Sequence, residues 1–124
     1  MISCSILFNG SAESERQFFA SLNINIRDVL FWGGRYSFLE ARRNGALAGT
    51  VSGDFMKSMD LYLFDIDETT LFQRLAEAAM ENVRIAMPDE ESKQPWNYLL
   101  WENGIMKRIR IIEDDDRFLI SAYL

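Results

Sequence analysis

Residues 61–70 read LYLFDIDETT: an apolar run closes on Asp65, Asp67 follows after one residue, and Glu68 and Thr69 come next. Three carboxylates within four residues have the donor type to hold a divalent ion through oxygen alone. The same residues also suit the rim of a strand where a helix begins, with Asp67 or Thr69 as N-cap and Glu68 favoured by the helix macrodipole. One absence bounds the other options: the 124-residue sequence contains no histidine. The commonest proton shuttle near neutral pH and a principal zinc ligand are therefore missing, which removes Ser–His–Asp, Cys–His and His-based zinc chemistry. Carboxylate, lysine, tyrosine or magnesium chemistry is what is left.

Asp65-Ile66-Asp67-Glu68-Thr69, preceded by LYLF, resembles the first motif of haloacid-dehalogenase-type phosphotransferases. The resemblance implies a magnesium-dependent phosphohydrolase in which Asp65 attacks phosphate, Asp67 is the general acid/base and Thr69 orients the phosphate. It also implies a doubly wound parallel sheet, with a later phosphate-binding Ser/Thr, a lysine and further magnesium carboxylates. Only 55 residues follow Thr69, and their lysines are Lys93 and Lys107. The run Asp114-Asp115-Asp116, available as the later acidic pair, reads as a hairpin turn. The motif is met over five residues and its sheet context is not. A strand ending at Phe64 or Asp65, followed by a cap at Asp67 or Thr69, is thus the preferred reading, with no cofactor expected and the phosphohydrolase using Asp65 and Asp67 as the alternative.

Other clusters suit contact better than catalysis. Trp96, Tyr98 and Trp101 crowd into six residues, and such side chains anchor interfaces as readily as they fill cores. Alternation along the strand containing Lys107, Arg108 and Arg110 puts Lys107 on one face and the two arginines on the other, beside Leu99 and Asn97. Arg108 and Arg110 are a candidate site for an anion or acidic partner, the other reading being a solvated sheet face. The blocks Asp89-Glu90-Glu91 and Glu113 to Asp116 are solubilising loops or a surface presented to a basic partner. Cys4, within an apolar run, reads as a small buried hydrophobe.

Nineteen acidic against thirteen basic residues give a net charge of −6, which disfavours nucleic acid and favours basic protein partners. A lone cysteine permits no intrachain disulfide, the first residues lack signal-peptide character, and no apolar run reaches the ~20 residues a bilayer needs. The expectation is a cytoplasmic domain spanning 1–124, not in a membrane, that binds a protein without catalysis, as an inhibitor or immunity-type protein does.

The elements that must carry these residues follow from periodicity. Residues 2–8 read as a strand, and 12–22 as a helix capped by Ser11 or Ser14 with Phe18 and Phe19 inward. VLFW and RYSFLEAR read as extended, with Gly33-Gly34 between them. Asn44-Gly45 predicts a hairpin turn setting Leu39 opposite Thr50. MDLYLFDI reads as a central strand, residues 69–87 as the main helix ended by Pro88, and PDEESKQP as an exposed connection. WNYLLWE, IMKRIRII and RFLISAYL then make three antiparallel strands, turning at Asn103-Gly104 and in EDDD. The fold class is α+β: a predominantly antiparallel sheet of about six to eight strands with two helices on one face. Exposed edges on the first and last strands would permit a homodimer.

Overall fold

The computed structural model describes residues 1–31 and 36–124. Trp32, the Gly33-Gly34 turn and Arg35, at the start of RYSFLEAR, lie outside the described residues. The chain forms β1 (Ile2–Asn9), α1 (Ala12–Ser21), a single 3₁₀ turn (Ile26–Asp28), β2 (Val29–Phe31), α2 (Ser37–Glu40), β3 (Gly45–Thr50), β4 (Ser52–Gly53) and β5 (Lys57–Leu63). It continues with α3 (Glu68–Ala78), β6 (Arg84–Pro88), β7 (Asn97–Glu102), β8 (Ile105–Asp114) and β9 (Arg117–Tyr123). One nine-stranded sheet results, in the order β2-β3-β5-β1-β6-β7-β8-β9-β4. All pairings are antiparallel except β2 with β3 and β4 with β9. The α+β class and the antiparallel sheet match the sequence reading; the sheet gains the two-residue β4 and the five-residue β6, and the added helix α2 is a single turn of four residues.

Alternation along the inner strands divides two cores. Ile6 and Phe8 of β1, Ile85 and Met87 of β6, and Leu99 and Trp101 of β7 face α1 and α3, where they meet Phe18, Phe19, Leu71 and Leu75. Leu7, Ala86 and Leu100 point the other way and pack with Ile109, Ile111, Phe118 and the fully buried Phe55. Only Val51 separates β3 from β4, yet the two strands lie towards opposite ends of the sheet. The sheet must therefore coil until its ends meet, closing over Phe55. Hydrogen bonds hold that closure: Ser52 N–H donates to the Asp116 carbonyl (3.0 Å), Asp54 N–H to the Phe118 carbonyl (2.8 Å), and Ile120 N–H to Asp54 Oδ2 (2.7 Å).

The turns after β7 and β8 fold as their sequences dictate. Asn103 and Gly104 have φ of 54° and 73°, Asp115 and Asp116 of 47° and 60°, as two-residue type I′ hairpins require. The resulting register sets Leu99 opposite Arg108 and Asn97 opposite Arg110, as alternation predicts. Ser11 caps α1 by accepting Ser14 N–H, and Phe18 and Phe19 are buried.

Three expectations are corrected. The predicted helix over 69–87 ends at Ala78, because Glu81 and Asn82 turn the chain at positive φ and Ile85-Ala86-Met87 is buried on both faces of an inner strand. Pro88 therefore ends a strand. β1 is not an edge strand: β5 and β6 flank it. The outer edge of β9 is covered by β4 at Arg117 and Phe118 and by Asp54 at Ile120.

The Asn44-Gly45 hairpin does not form either. Residues 37–40 make one helical turn, and β3 pairs with β2 and β5. Each residue of Arg43-Asn44-Gly45 instead makes a distant contact. Arg43 donates two hydrogen bonds, of 3.1 and 3.0 Å, to the buried Asp28 carboxylate. Asn44 Nδ2 donates to the Leu22 carbonyl (2.9 Å) while its Oδ1 accepts Phe64 N–H (2.6 Å). Gly45 lies so close to Phe38 that an added Cβ would sit 2.4 Å from the ring.

Gly45→Ala is expected to destabilise the protein by about 1–3 kcal/mol through overpacking against Phe38, read as a lowered urea midpoint. The Arg43 hydrogen bonds hold the Asp28 carboxyl below the usual carboxylate range. With its folded pKa depressed, Asp28 contributes stability that is complete above about pH 4 and lost as pH falls through the folded value. Asp28→Asn is expected to lower the urea midpoint at pH 7 and to flatten its decline on acidification.

Candidate functional site

A cleft of about 840 Å³ opens where the start of β1, the first turns of α3, the end of β6 with its following loop, and the β7–β8 hairpin meet. Ile2, Cys4, Leu71, Phe72, Met87 and Leu99 give it an apolar floor that is continuous with the helix-side core. Asp67, Glu68, Asp89, Glu90 and Glu91 line it as well, and Arg108 is the single cation among the lining residues. That guanidinium is already shared, lying 3.5 Å from Asp89 and 3.8 Å from Glu91. The net field in the cleft is therefore negative, over an apolar surface.

The elements explain these positions. Asp67 is the N-cap of α3, its Oδ1 accepting Thr70 N–H at 2.7 Å. Hydrogen bonding from Thr70, through its side chain first and its backbone second, holds the Asp67 carboxyl below its ordinary value. Asp65 sits in the preceding turn at φ 59°, a left-handed conformation that Asp tolerates better than most residues. It lines a different concavity, with Asn23, Asn25, Arg42 and Asn44. The two aspartates thus open onto separate surfaces, and among the described residues no group of three His, Cys, Asp or Glu side chains is placed to hold a metal ion. Cys4 lies in the floor with its thiol pushed up to about 11, by burial first and then by Asp60 and Glu90. It is protonated at neutral pH and so lacks the thiolate that nucleophilic or metal chemistry uses.

The residues singled out from sequence separate in space. Trp101 is buried beneath the cleft, its ring 5.3 Å from that of Phe72, and so supports the floor rather than the surface. Tyr98 faces the opposite core, its hydroxyl pushed up by burial and then by Glu113. Trp96 is 44% exposed and shares a second concavity with Gln94, Arg110, Ile111, Ile112 and Glu113. Arg108 and Arg110 lie on one exposed side of β8. Asp114 ends β8, and Asp115 and Asp116 form the exposed turn beyond it. Six residues from Arg108 to Asp114 span ~20 Å of strand, so the 113–116 block stands well away from the cleft while 89–91 lines it.

Sequence reasoning missed Ile2, Glu68, Leu71 and Met106 as cleft residues. Their signal was weak, because the cleft exists only once residues 84–88 are recognised as a strand beside β1.

Asp67→Ala is expected to lower the thermal midpoint, and Asp67→Ser to retain most of the wild-type value, because a serine oxygen also caps. Asp65→Gly is expected to raise the midpoint by relieving the left-handed residue. Equal midpoints for Asp67→Ala and Asp67→Ser would remove the capping role. No family model, curated protein or solved structure matches this chain, so its cleft is interpreted from its own geometry.

Proposed function

We propose that this protein is a non-catalytic binding protein, of the inhibitor or immunity type, that takes a basic and partly apolar segment of a protein partner into the cleft between α3 and the β6–β7 loop. One observation carries the reading: an apolar floor bordered by five carboxylates, with its single arginine already paired to two of them. Such a surface rewards a segment that buries aliphatic or aromatic groups while bringing lysines or arginines to the rim. It repels nucleic acid by the same charge. A free Cys4 with a protonated thiol suits a reducing, cytoplasmic setting.

A fluorescein-labelled peptide of alternating lysine and leucine is expected to bind in an anisotropy titration, and to weaken as salt rises and the Debye length shrinks to roughly 3 Å at 1 M. The triple variant Glu68→Gln, Glu90→Gln, Glu91→Gln is expected to bind it about tenfold or more weakly, with an unchanged urea midpoint. Equal affinity for a glutamate–leucine peptide of the same length would overturn the reading.

A further inference from the structure

The helix-side core draws on β1, β3, β5, β6 and β7 but on neither β8 nor β9. The side of β8 turned away from the second core is therefore bare. Along it Arg108, Arg110 and Ile112 are exposed while the intervening Ile109 and Ile111 are buried. Met106 and Arg108, at one end of this row, line the acidic cleft. Arg110 and Ile112, at the other, line the concavity of about 410 Å³ beside Trp96. Adjacent residues on one face of a strand are ~7 Å apart, so a single step from Arg108 to Arg110 joins the two hollows. Trp96 is fixed at the far hollow because its carbonyl accepts Ile111 N–H at 2.9 Å, where β8 outruns β7.

The charges at the two ends differ in sign. The cleft end carries five carboxylates. At the far end Arg110 has no carboxylate within 4.0 Å among the described residues. Glu113 lines the same hollow, but it alternates with Ile112 and sits towards Tyr98 on the other side of the strand. Met106 at the cleft end and Ile112 at the far end are 44% and 54% exposed, and Trp96 adds a large ring to the apolar surface beside Ile112. Trp and Arg are the residue types most often found to dominate binding energy at interfaces.

Building on the proposed cleft function, we infer that the cleft and the Trp96 hollow are the two ends of one docking face along β8. Its occupant is a protein segment with cationic residues at one end, a carboxylate in the middle and apolar residues at the other end. Met106 to Ile112 spans ~20 Å of strand, which a helix of about 13 residues matches. The cationic end lies in the cleft beside Met106, the carboxylate pairs with Arg110, and the apolar end covers Ile112 and Trp96.

The test uses two labelled 16-residue peptides of one composition. In the first, lysines occupy one end, glutamates the middle, and leucines and alanines the other end; in the second, the three types are interleaved. The split peptide is expected to bind about tenfold more tightly. Arg110→Glu and Trp96→Ala are each expected to weaken it about fivefold or more and to leave the lysine–leucine peptide unaffected, with urea midpoints confirming the fold. Equal binding of split and interleaved peptides, or no effect of Arg110→Glu and Trp96→Ala on the split peptide, overturns the extended face. The cleft reading then stands if the lysine–leucine peptide still binds; loss of that binding in the wild-type protein overturns both.

Discussion

Three consecutive residues, Arg43, Asn44 and Gly45, tie α1, the turn into β2, the end of β5 and α2 to one another. Asn44 bonds the end of α1 through the Leu22 carbonyl and the end of β5 through Phe64 N–H. Arg43 is the nearer of two guanidiniums on the buried Asp28 carboxylate, at 3.0 Å against 4.0 Å for Arg27, and fixes the turn that leads into β2. Gly45 leaves room for Phe38, which is fully buried. The chain that leaves Phe64 enters the Asp65–Asp67 turn and then α3, so the wall of the cleft is aimed by this joint.

The curl of the sheet decides where the cleft lies. Because β4 returns to β9 and closes over Phe55, one side of the sheet is filled by its own residues. The other side is covered by α1 and α3, and that cover does not extend to β8. The cleft forms along this boundary, where an apolar floor continues outward from beneath a helix and the β6–β7 loop brings its carboxylates against it. Within this cleft Asp67 is engaged as the cap of α3, and the Cys4 thiol is protonated at neutral pH.

Some of this was legible locally. The I′ hairpins, the Ser11 cap, the Phe18–Phe19 pair and the register that sets Arg108 against Leu99 depend on turn chemistry and alternation, which act between near neighbours. The helix over 69–87 failed because Val83 and Met87 continue the near-3.6 period of Leu75, Ala76 and Ala79 and, with Ile85 between them, also satisfy a period of 2. Burial on both faces of β6 settles the matter, and burial depends on which strands lie alongside. Asn44-Gly45 misled for a related reason: its letters match a tight turn, but the Asn44 side chain is committed to residues about twenty positions away and the Gly45 backbone to the close approach of the Phe38 ring.

The sequence by itself determined an acidic, antiparallel α+β chain with a defined C-terminal meander, because charge, alternation and two-residue turns are properties of short stretches. Only the tertiary structure decided that β1 is central, that Trp101 supports a floor while Trp96 stands at a surface, and that the 89–91 carboxylates meet Arg108 over a cleft while Asp65 faces elsewhere. These depend on the order in which strands lie side by side, and strand order is set by contacts between residues far apart in the chain.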